Sequence, residues 1–566
     1  MKKVSLVSVL ALIMAVVVFV PVLAETFTVT TLNGRGTGSL RTAIERAGDG
    51  DTVQFDISGT VTLLREPLVI DKDLTIVGPG SADDLVIDGL GDKRVLFVSS
   101  TSKVLIIGVT FTGGFAEEVF NDSGGAILNE GDLTLRDSKV LGNFARGDGA
   151  GILNRGGVLT LENVDVADNF ADKANGSGAG VLNLEGTMNV KNSRFQNNFS
   201  RRDGGAISNV RGDLFIEGSS FSNNISERDG GAIATVGDLT IADSTFSNNE
   251  AETGGGAIAN LGIRPVIVED STFTGNQARG LGGAFFNNGN ADGQFINVNF
   301  NSNVATAGSG GAIANIVGGL EILTSNFNEN AARDQGGAIY NEDRLLITNT
   351  GFTKGAAVDG AAIRTLGVST IENSTFTDNL ARGNGGAISN AGLAVMTLKD
   401  STVSGNVAEG NAGGIANLGS SILTLEETVV ANNSAVDGGG IYNTQFLTLI
   451  ESQVNDNLAS RSGGGIFNTE SGILNITESM IDGNASETDG GGIWNDGDLN
   501  ISLSQLVNNS TVRGTFGGGG GIWNAFTGNL SLDETTCSSN QAKGQTVDIF
   551  NNGGNVANAT SCGVST

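Results

Sequence analysis

A short sequence motif recurs along most of this chain, and its spacing restricts the fold more than any other feature. The motif is Gly-Gly-Ala-Ile-x-Asn, as at residues 124–129 and 385–390. A second motif, Phe-x-x-Asn, alternates with it, as at residues 221–224, and a Leu-Thr-Leu type segment such as 423–425 lies between them. The mean step is about 26 residues, which is within the range of solenoid repeats. The chain is therefore predicted to be a stack of equivalent coils.

Each repeat contains three short segments in which apolar and polar residues alternate with period 2. That period is typical of β-strands, whereas a helical repeat needs ten or more residues of period 3.6. Three strands and three turns fit a coil of about 26 residues at roughly 3.3 Å per strand residue. The predicted fold is all-β, a right-handed parallel β-helix.

The asparagine that closes the first motif returns once in nearly every coil. Equivalent residues of stacked coils lie about 4.8 Å apart, so their amide groups can hydrogen-bond along the stack. Asparagine also tolerates the left-handed backbone conformation of a sharp corner, and we expect that conformation at these positions. The predicted ladder contains Asn129, Asn209, Asn260, Asn341, Asn390, Asn443 and Asn495, with Thr235 and Thr365 replacing asparagine in two coils.

Both ends of the chain differ from the repeats. Residues 1–24 have the pattern of an export signal, with Lys2 and Lys3 before an apolar run and small residues before Glu25. An uncleaved membrane anchor is the alternative, and only in that case is membrane association expected. Residues 25–110 are assigned to an N-terminal cap and the first coils, 111–552 to the repeat β-helix and 553–566 to a C-terminal cap. Within the N-terminal cap, Ser39 is predicted to start a short capping helix.

Composition limits the functional classes. The formal net charge is −29, and such a surface repels nucleic acids, so no polynucleotide partner is expected. The chain has no histidine, which removes Ser-His-Asp triads and zinc–histidine sites. No metal, cofactor or catalytic residue is predicted.

The alternating Gly-Gly-Ala-Ile and Phe-x-x-Asn motifs resemble the repeats of the chlamydial polymorphic outer-membrane proteins. The resemblance covers roughly residues 120–551. The stretches Gly38-Ser-Leu-Arg-Thr-Ala-Ile44 and Asp73-Leu-Thr-Ile-Val-Gly-Pro-Gly80 are similar to those of secreted bacterial β-helix proteins. The resemblance implies a secreted or cell-surface protein and, in the chlamydial members, adhesion.

Three functional classes follow, and the first is favoured. The chain is a binding or adhesion protein for glycans or proteins, or a structural surface component without a specific ligand, or a polysaccharide lyase or hydrolase. The enzyme class is considered because parallel β-helices include such enzymes, but the nearly constant coil length leaves no long insertion to shape a cleft. The adjacent acids Asp83 and Asp84 fit a solvated turn better than a catalytic pair.

The two cysteines, Cys537 and Cys562, are one coil apart in the sequence. Stacking by one coil brings α-carbons within the range that a disulfide requires, and an exported chain meets an oxidising compartment. A disulfide between them is predicted, and two buried free thiols are the alternative.

The residue between the motif isoleucine and the closing asparagine should point outward or toward the corner, since the isoleucine points inward. It varies in earlier coils, as at Ser208, Ala234 and Arg364, but it is aromatic in the last five, at Tyr442, Phe467, Trp494, Trp523 and Phe550. Glycines at 440, 465, 492 and 521 are expected to leave the ring faces open. An exposed stripe about 20 Å long is therefore predicted to bind sugars or a protein, with self-association or coverage by the C-terminal segment as alternatives.

Overall fold

The fold is a parallel β-solenoid of about 19 turns with about 27 residues per turn, which confirms the predicted fold class. The computed structural model describes residues 24–566 except 65, 117–122, 173, 175, 514–517 and 560. The predicted export signal lies outside the described residues apart from Ala24. No helical segment in the described part of the chain has the length and hydropathy that crossing a membrane requires.

One coil near the middle of the chain illustrates the arrangement of strands in the repeating turns of the solenoid. Its strands are Ile233–Thr235, Asp238–Ala242, Thr245–Ser247 and Glu250–Ala251. Each pairs in parallel with the equivalent strand of the next coil, as Ile233 with Ile258 and Leu239 with Val266. Strands of the Ile233–Thr235 type form one long sheet, here called the Ile-Asn sheet. Strands of the Asp238–Ala242 type form a second, the long-strand sheet, and the two short strands complete the coil.

Apolar residues from all sides fill a single continuous core. Isoleucines such as Ile233 and Ile258 are fully buried, as are the phenylalanines of the second motif. Eight phenylalanines stack in an unbroken series of seven ring contacts. In each contact the ring centroids are 4.6–5.1 Å apart and the planes are within 13° of parallel. The series contains Phe195, Phe221, Phe246, Phe273, Phe300, Phe327, Phe352 and Phe376. This repetition follows directly from in-register stacking of identical side chains.

All seven predicted ladder asparagines are buried, and each donates a hydrogen bond through Nδ2 to the equivalent side chain of the next coil. The distances are 2.7–3.2 Å. Thr235 and Thr365 accept in place of asparagine. The expected left-handed conformation is absent from these seven residues, which lie in strands; it occurs at other corner residues, such as Asn223 and Asn248.

The structure adds two further polar ladders. The asparagine of the second motif forms its own ladder, in which Asn224 donates to Asn249 at 3.0 Å and to the carbonyl of Phe195 at 3.0 Å. The second of these ladders consists of buried serine or threonine residues two positions before the motif phenylalanine. In it, for example, Ser244 Oγ accepts a hydrogen bond from the Ser219 amide at 3.1 Å. The recurrent Ser or Thr at this offset was the available sequence signal, and our sequence analysis missed it.

The helix predicted at the N-terminus spans Leu40–Arg46, and the Ser39 side chain accepts from the Thr42 amide at its start. Leu40, Ala43 and Ile44 are buried against the first strands, Thr26–Val29 and Asp51–Phe55. At the other end, Val564–Ser565 pairs with Ile549–Asn551. Cys537 and Cys562 form a disulfide there, with α-carbons 5.1 Å apart.

Candidate binding surface

The five aromatic residues lie in one row on the outer side of the Ile-Asn sheet. They occupy the middle of five consecutive three-residue strands and pair in exact register from Tyr442 to Phe550. On either side of each ring, the isoleucine and asparagine of the same strand face the solenoid interior. The strands are Ile441–Asn443, Ile466–Asn468, Ile493–Asn495, Ile522–Asn524 and Ile549–Asn551. We call these five side chains the aromatic row.

The rings stack on one another along the solenoid axis. Successive centroids are 5.2, 5.6, 5.6 and 4.7 Å apart, and successive planes are within 20° of parallel. Each inner ring therefore has another ring against both faces. Tyr442 is different because the preceding residue in the row is Ala416, so no ring covers that face. The row presents ring edges to its surroundings rather than a flat platform.

Exposure decreases along the row. Tyr442, Phe467 and Trp494 are partly exposed, whereas Trp523 and Phe550 are 6% and 8% exposed and pack with Ala525 and Val547. The prediction of five accessible rings is therefore wrong for the last two. The indole Nε1 of Trp523 is buried and has no hydrogen-bond partner among the described residues.

The glycines next to the row do not open the ring faces. A β-carbon at Gly440 would lie 3.0 Å from the Asn457 amide, and one at Gly492 would lie 3.0 Å from that of Asn509. These positions therefore face the interior asparagine ladder, where other coils carry buried alanines such as Ala206. Glycine at these positions reflects interior packing, and the sequence interpretation was incorrect.

The small residues that occupy the equivalent position in earlier coils are buried, so an outward direction along the strand does not make them exposed. Ser389 and Ala416 are completely covered. The cause is the corner formed by the first glycine of the motif, which has a positive φ. A β-carbon at Gly360 would lie 3.1 Å from the Ser389 β-carbon, and one at Gly385 would lie 3.3 Å from that of Ala416. Because this corner folds over the position, the small side chains lie beneath it. Large side chains there are partly exposed in some coils, as at Tyr340 and Arg364, and buried in others, as at Phe286.

Polar groups flank the exposed half of the row. Asp437 and Arg461 form a two-pronged ion pair, with Arg461 Nε donating to Asp437 Oδ1 at 2.8 Å and Nη2 donating to Oδ2. Asp437 is buried, whereas the Arg461 side chain is 63% exposed. Burial raises the pKa of Tyr442, and the Asp437 charge raises it further. The Asp437 hydrogen bond raises the pKa of Arg461. Both groups keep their ordinary neutral-pH states, a phenol and a guanidinium.

Asp83 and Asp84, the acidic pair considered in the sequence, make contacts of a structural kind. Asp83 pairs with Lys139 at 2.6 Å, and Asp84 accepts from the Ser81 amide at 2.7 Å within a short turn. No group of three or more acidic, cysteine or histidine side chains is arranged to hold a metal ion in the part of the chain that the structure describes.

Comparison with known proteins identifies the repeat type. The Chlamydia polymorphic membrane protein repeat matches residues 218–236, 243–261, 324–342 and 373–391. The chain is a parallel β-solenoid that carries repeats of this type, as the sequence motifs indicated. No curated protein matches the chain.

Two solved structures show distant similarity. One is a mannuronic acid specific polysaccharide family 6 lyase from human gut microbiota, with 8% identity, a TM-score of 0.29 and coverage of 75% of this chain and 87% of that chain. The other is the PL6 family alginate lyase AlyGC, with 9% identity, a TM-score of 0.20 and coverage of 94% and 100%. At these TM-scores the likeness does not bear on the activity of this chain.

Proposed function

We propose that this chain is a secreted or cell-surface adhesion protein that binds a protein ligand through the exposed half of the aromatic row. The observation that carries the proposal is the change, in consecutive coils, from the buried Ser389 and Ala416 to three partly exposed aromatic residues, Tyr442, Phe467 and Trp494. The repeat match supports a location at the cell surface.

The geometry of the rings favours a protein ligand over a sugar. Sugar rings bind aromatic residues mainly by lying on an open ring face, and here the faces are covered by neighbouring rings except at Tyr442. Tyrosine, tryptophan and arginine are also the residues that contribute most to protein–protein binding energy. The half-buried rings are held rigidly by the sheet, so little conformational entropy is lost on binding.

The flanking ion pair supplies the polar part of the surface. Asp437 orients Arg461 through two hydrogen bonds, and the exposed side of the guanidinium remains available to a carboxylate or carbonyl group. An apolar ridge with an oriented arginine beside it resembles the centre of a protein interface, which is surrounded by a polar rim.

Binding of the purified full chain to animal or bacterial cells, measured by flow cytometry, tests the proposal. Trp494→Ala and Arg461→Ala should each weaken binding by about tenfold or more, because each removes a central contact. Phe215→Ala is the matched control, since Phe215 is an exposed aromatic residue on another face. Protease treatment of the cells should remove the binding, whereas periodate oxidation of their glycans should leave it.

The alternatives give different results. Loss of binding on periodate treatment alone would favour a glycan ligand. Equal binding by Trp494→Ala and the unmodified chain would exclude the aromatic row as the site, and no cell binding at all would favour the structural surface component. Release of oligosaccharides from polyuronides would favour the lyase.

A further inference from the structure

The outer side of the long-strand sheet carries an apolar column that is confined to five consecutive coils. Its members are the first residues of strands Val368–Glu372, Val395–Lys399, Ile422–Glu426, Phe446–Ile450 and Ile473–Thr477, which pair in register. Val368, Val395, Ile422 and Phe446 are 39–58% exposed, and Ile473 is partly exposed. We call the outward residues of these five strands the sheet-face patch.

The patch is a local departure from the repeat. In other coils the same position is mostly polar, as at Asp132, Asp213, Asp238, Asp498 and Asn529. Val158 is an isolated apolar exception, with polar partners on both sides. A contiguous apolar column on an otherwise acidic surface usually marks a contact with another molecule.

The third and fifth residues of these strands also point outward and form two further columns. Their chemistry indicates what kind of molecule can bind the patch. The middle column is threonine in four strands, at Thr370, Thr397, Thr424 and Thr448, and is flat and uncharged. The last column carries charges of alternating sign at Glu372, Lys399 and Glu426. None of these three makes an ion pair with a described residue of its own chain, and Lys399 and Glu426 lie in register on neighbouring strands.

We propose that the sheet-face patch is a self-complementary surface on which a second copy of this chain docks through a two-fold axis. The axis runs parallel to the strands and passes between Val395–Lys399 and Ile422–Glu426. This operation places Lys399 against the partner's Glu426 and Glu426 against the partner's Lys399. It also places Val395 against the partner's Ile422, and Val368 against the partner's Phe446, so apolar residues meet apolar residues along the first column. At one edge of the contact, Glu372 lies against the partner's Ile450.

The alternative two-fold axis, along the solenoid, does not give this match. It would place the last column against the partner's first column, so Glu372, Lys399 and Glu426 would all meet apolar side chains, whereas the first axis does this to Glu372 alone. Burying an unpaired charge in this way is unfavourable. The order of residues along the patch therefore selects the antiparallel arrangement of the two solenoids.

The size of the patch predicts a weak dimer. Five strands at about 4.8 Å and five residues at about 3.3 Å give a face of about 24 Å by 16 Å. Doubled over two copies, this area is below that of a standard stable interface of about 1,600 Å². Two copies also repel each other through a formal net charge of −29 each, and salt screens this repulsion. We expect dissociation constants in the micromolar range or weaker and tighter association at high ionic strength.

Sedimentation velocity of the full chain over a concentration series at high ionic strength tests the proposal. The unmodified chain should shift from monomer to dimer with concentration, and Val395→Asp should weaken the dimer by about tenfold or more. Val158→Asp is the matched control, because Val158 and Val395 are both 39% exposed on the same sheet. Melting monitored by circular dichroism shows that each variant is folded.

Charge exchange tests the arrangement itself. Lys399→Glu and Glu426→Lys should each weaken the dimer, and the double variant should restore it because the two opposing pairs are re-formed with reversed sign. A monomeric chain at all concentrations would overturn the proposal. Equal effects of Val158→Asp and Val395→Asp, or a double variant as weak as the single ones, would also overturn it.

Discussion

The phenyl ring of Phe376 lies on that of Phe352, with the ring centroids 4.8 Å apart and the planes at 1° to each other. Both side chains are completely buried, and each occupies the same position in its own coil. The contact therefore joins two adjacent coils and repeats along the solenoid. Stability in such a structure depends on contacts between neighbouring coils, because the continuous core is built from residues that each touch only the adjacent coils.

Replacing Phe352 by alanine should therefore have a large but local effect. The cavity left by the ring costs about 3–5 kcal/mol. Hydrogen exchange should show lost protection in the coils around residues 325–380, with distant coils unchanged. Loss of protection along the whole chain would contradict nearest-neighbour coupling.

The contribution of the asparagine ladder to stability can be measured at Asn443, with threonine as a conservative replacement because it occurs naturally at two ladder positions. Asn443 accepts from Asn417 Nδ2 at 2.8 Å and donates to Asn468 Oδ1 at 2.8 Å. Asn443→Ala should remove one hydrogen bond from each of these two buried neighbours and lower stability by about 1–3 kcal/mol. Asn443→Thr should cost less, because threonine already replaces asparagine at two ladder positions. Thermal melting compares the two variants, and equal destabilisation would exclude the hydrogen bonds as the cause.

The disulfide should act on the end of the solenoid alone. Cys537 and Cys562 join the last coil to the C-terminal segment. Replacing Cys562 by serine should increase hydrogen exchange in residues 535–566, since the cross-link no longer restrains that segment. Thiol titration of the unmodified chain in denaturant without reductant should detect no free thiol. Detection of two thiols would show that the bond does not form.

Asp229 should make the stability of its coil depend on pH. Burial raises the pKa of this carboxyl group to about 6, with a further contribution from Asp203. Because the folded-state pKa is above the unfolded value of 3.8, the stability that protonation contributes is fully present below 3.8 and is lost as the pH rises through about 6. Asp229→Asn should therefore stabilise residues 200–235 more at pH 8 than at pH 5, measured by hydrogen exchange corrected for intrinsic rates. A pH-independent difference would contradict this.

The two tryptophans report on the aromatic row directly. Trp494 is partly exposed and Trp523 is buried, and the chain has no other tryptophan. In Trp494→Phe, the remaining indole should resist acrylamide quenching and emit at shorter wavelength. In Trp523→Phe, quenching should be stronger. Equal quenching of the two variants would contradict the graded burial of the row.

The interior of the coils was largely predictable from the sequence. Period-2 alternation and a constant step place Ile233 and Ile258 in the core and stack Asn443 on Asn468, because equivalent residues of identical coils must meet. The helix at Leu40–Arg46 followed from its cap and apolar face. The hydroxyl ladder of Ser219 and Ser244 recurs just as regularly, but its burial was not predicted because serine is mostly exposed in folded proteins.

The sequence by itself determined the repeat, the strand order and the identity of the side chains that stack, since these depend only on spacing along the chain. The tertiary structure decided how much of each stack is covered. Ser389 and Ala416 are buried because glycine corners fold over them, and Trp523 is buried because Ala525 and Val547 pack against it. The distance between coils then brought the rings of Phe467 and Trp494 face to face. Alternation along a strand shows which side a residue takes, whereas its exposure depends on packing by segments that are remote in sequence or folded back at a corner.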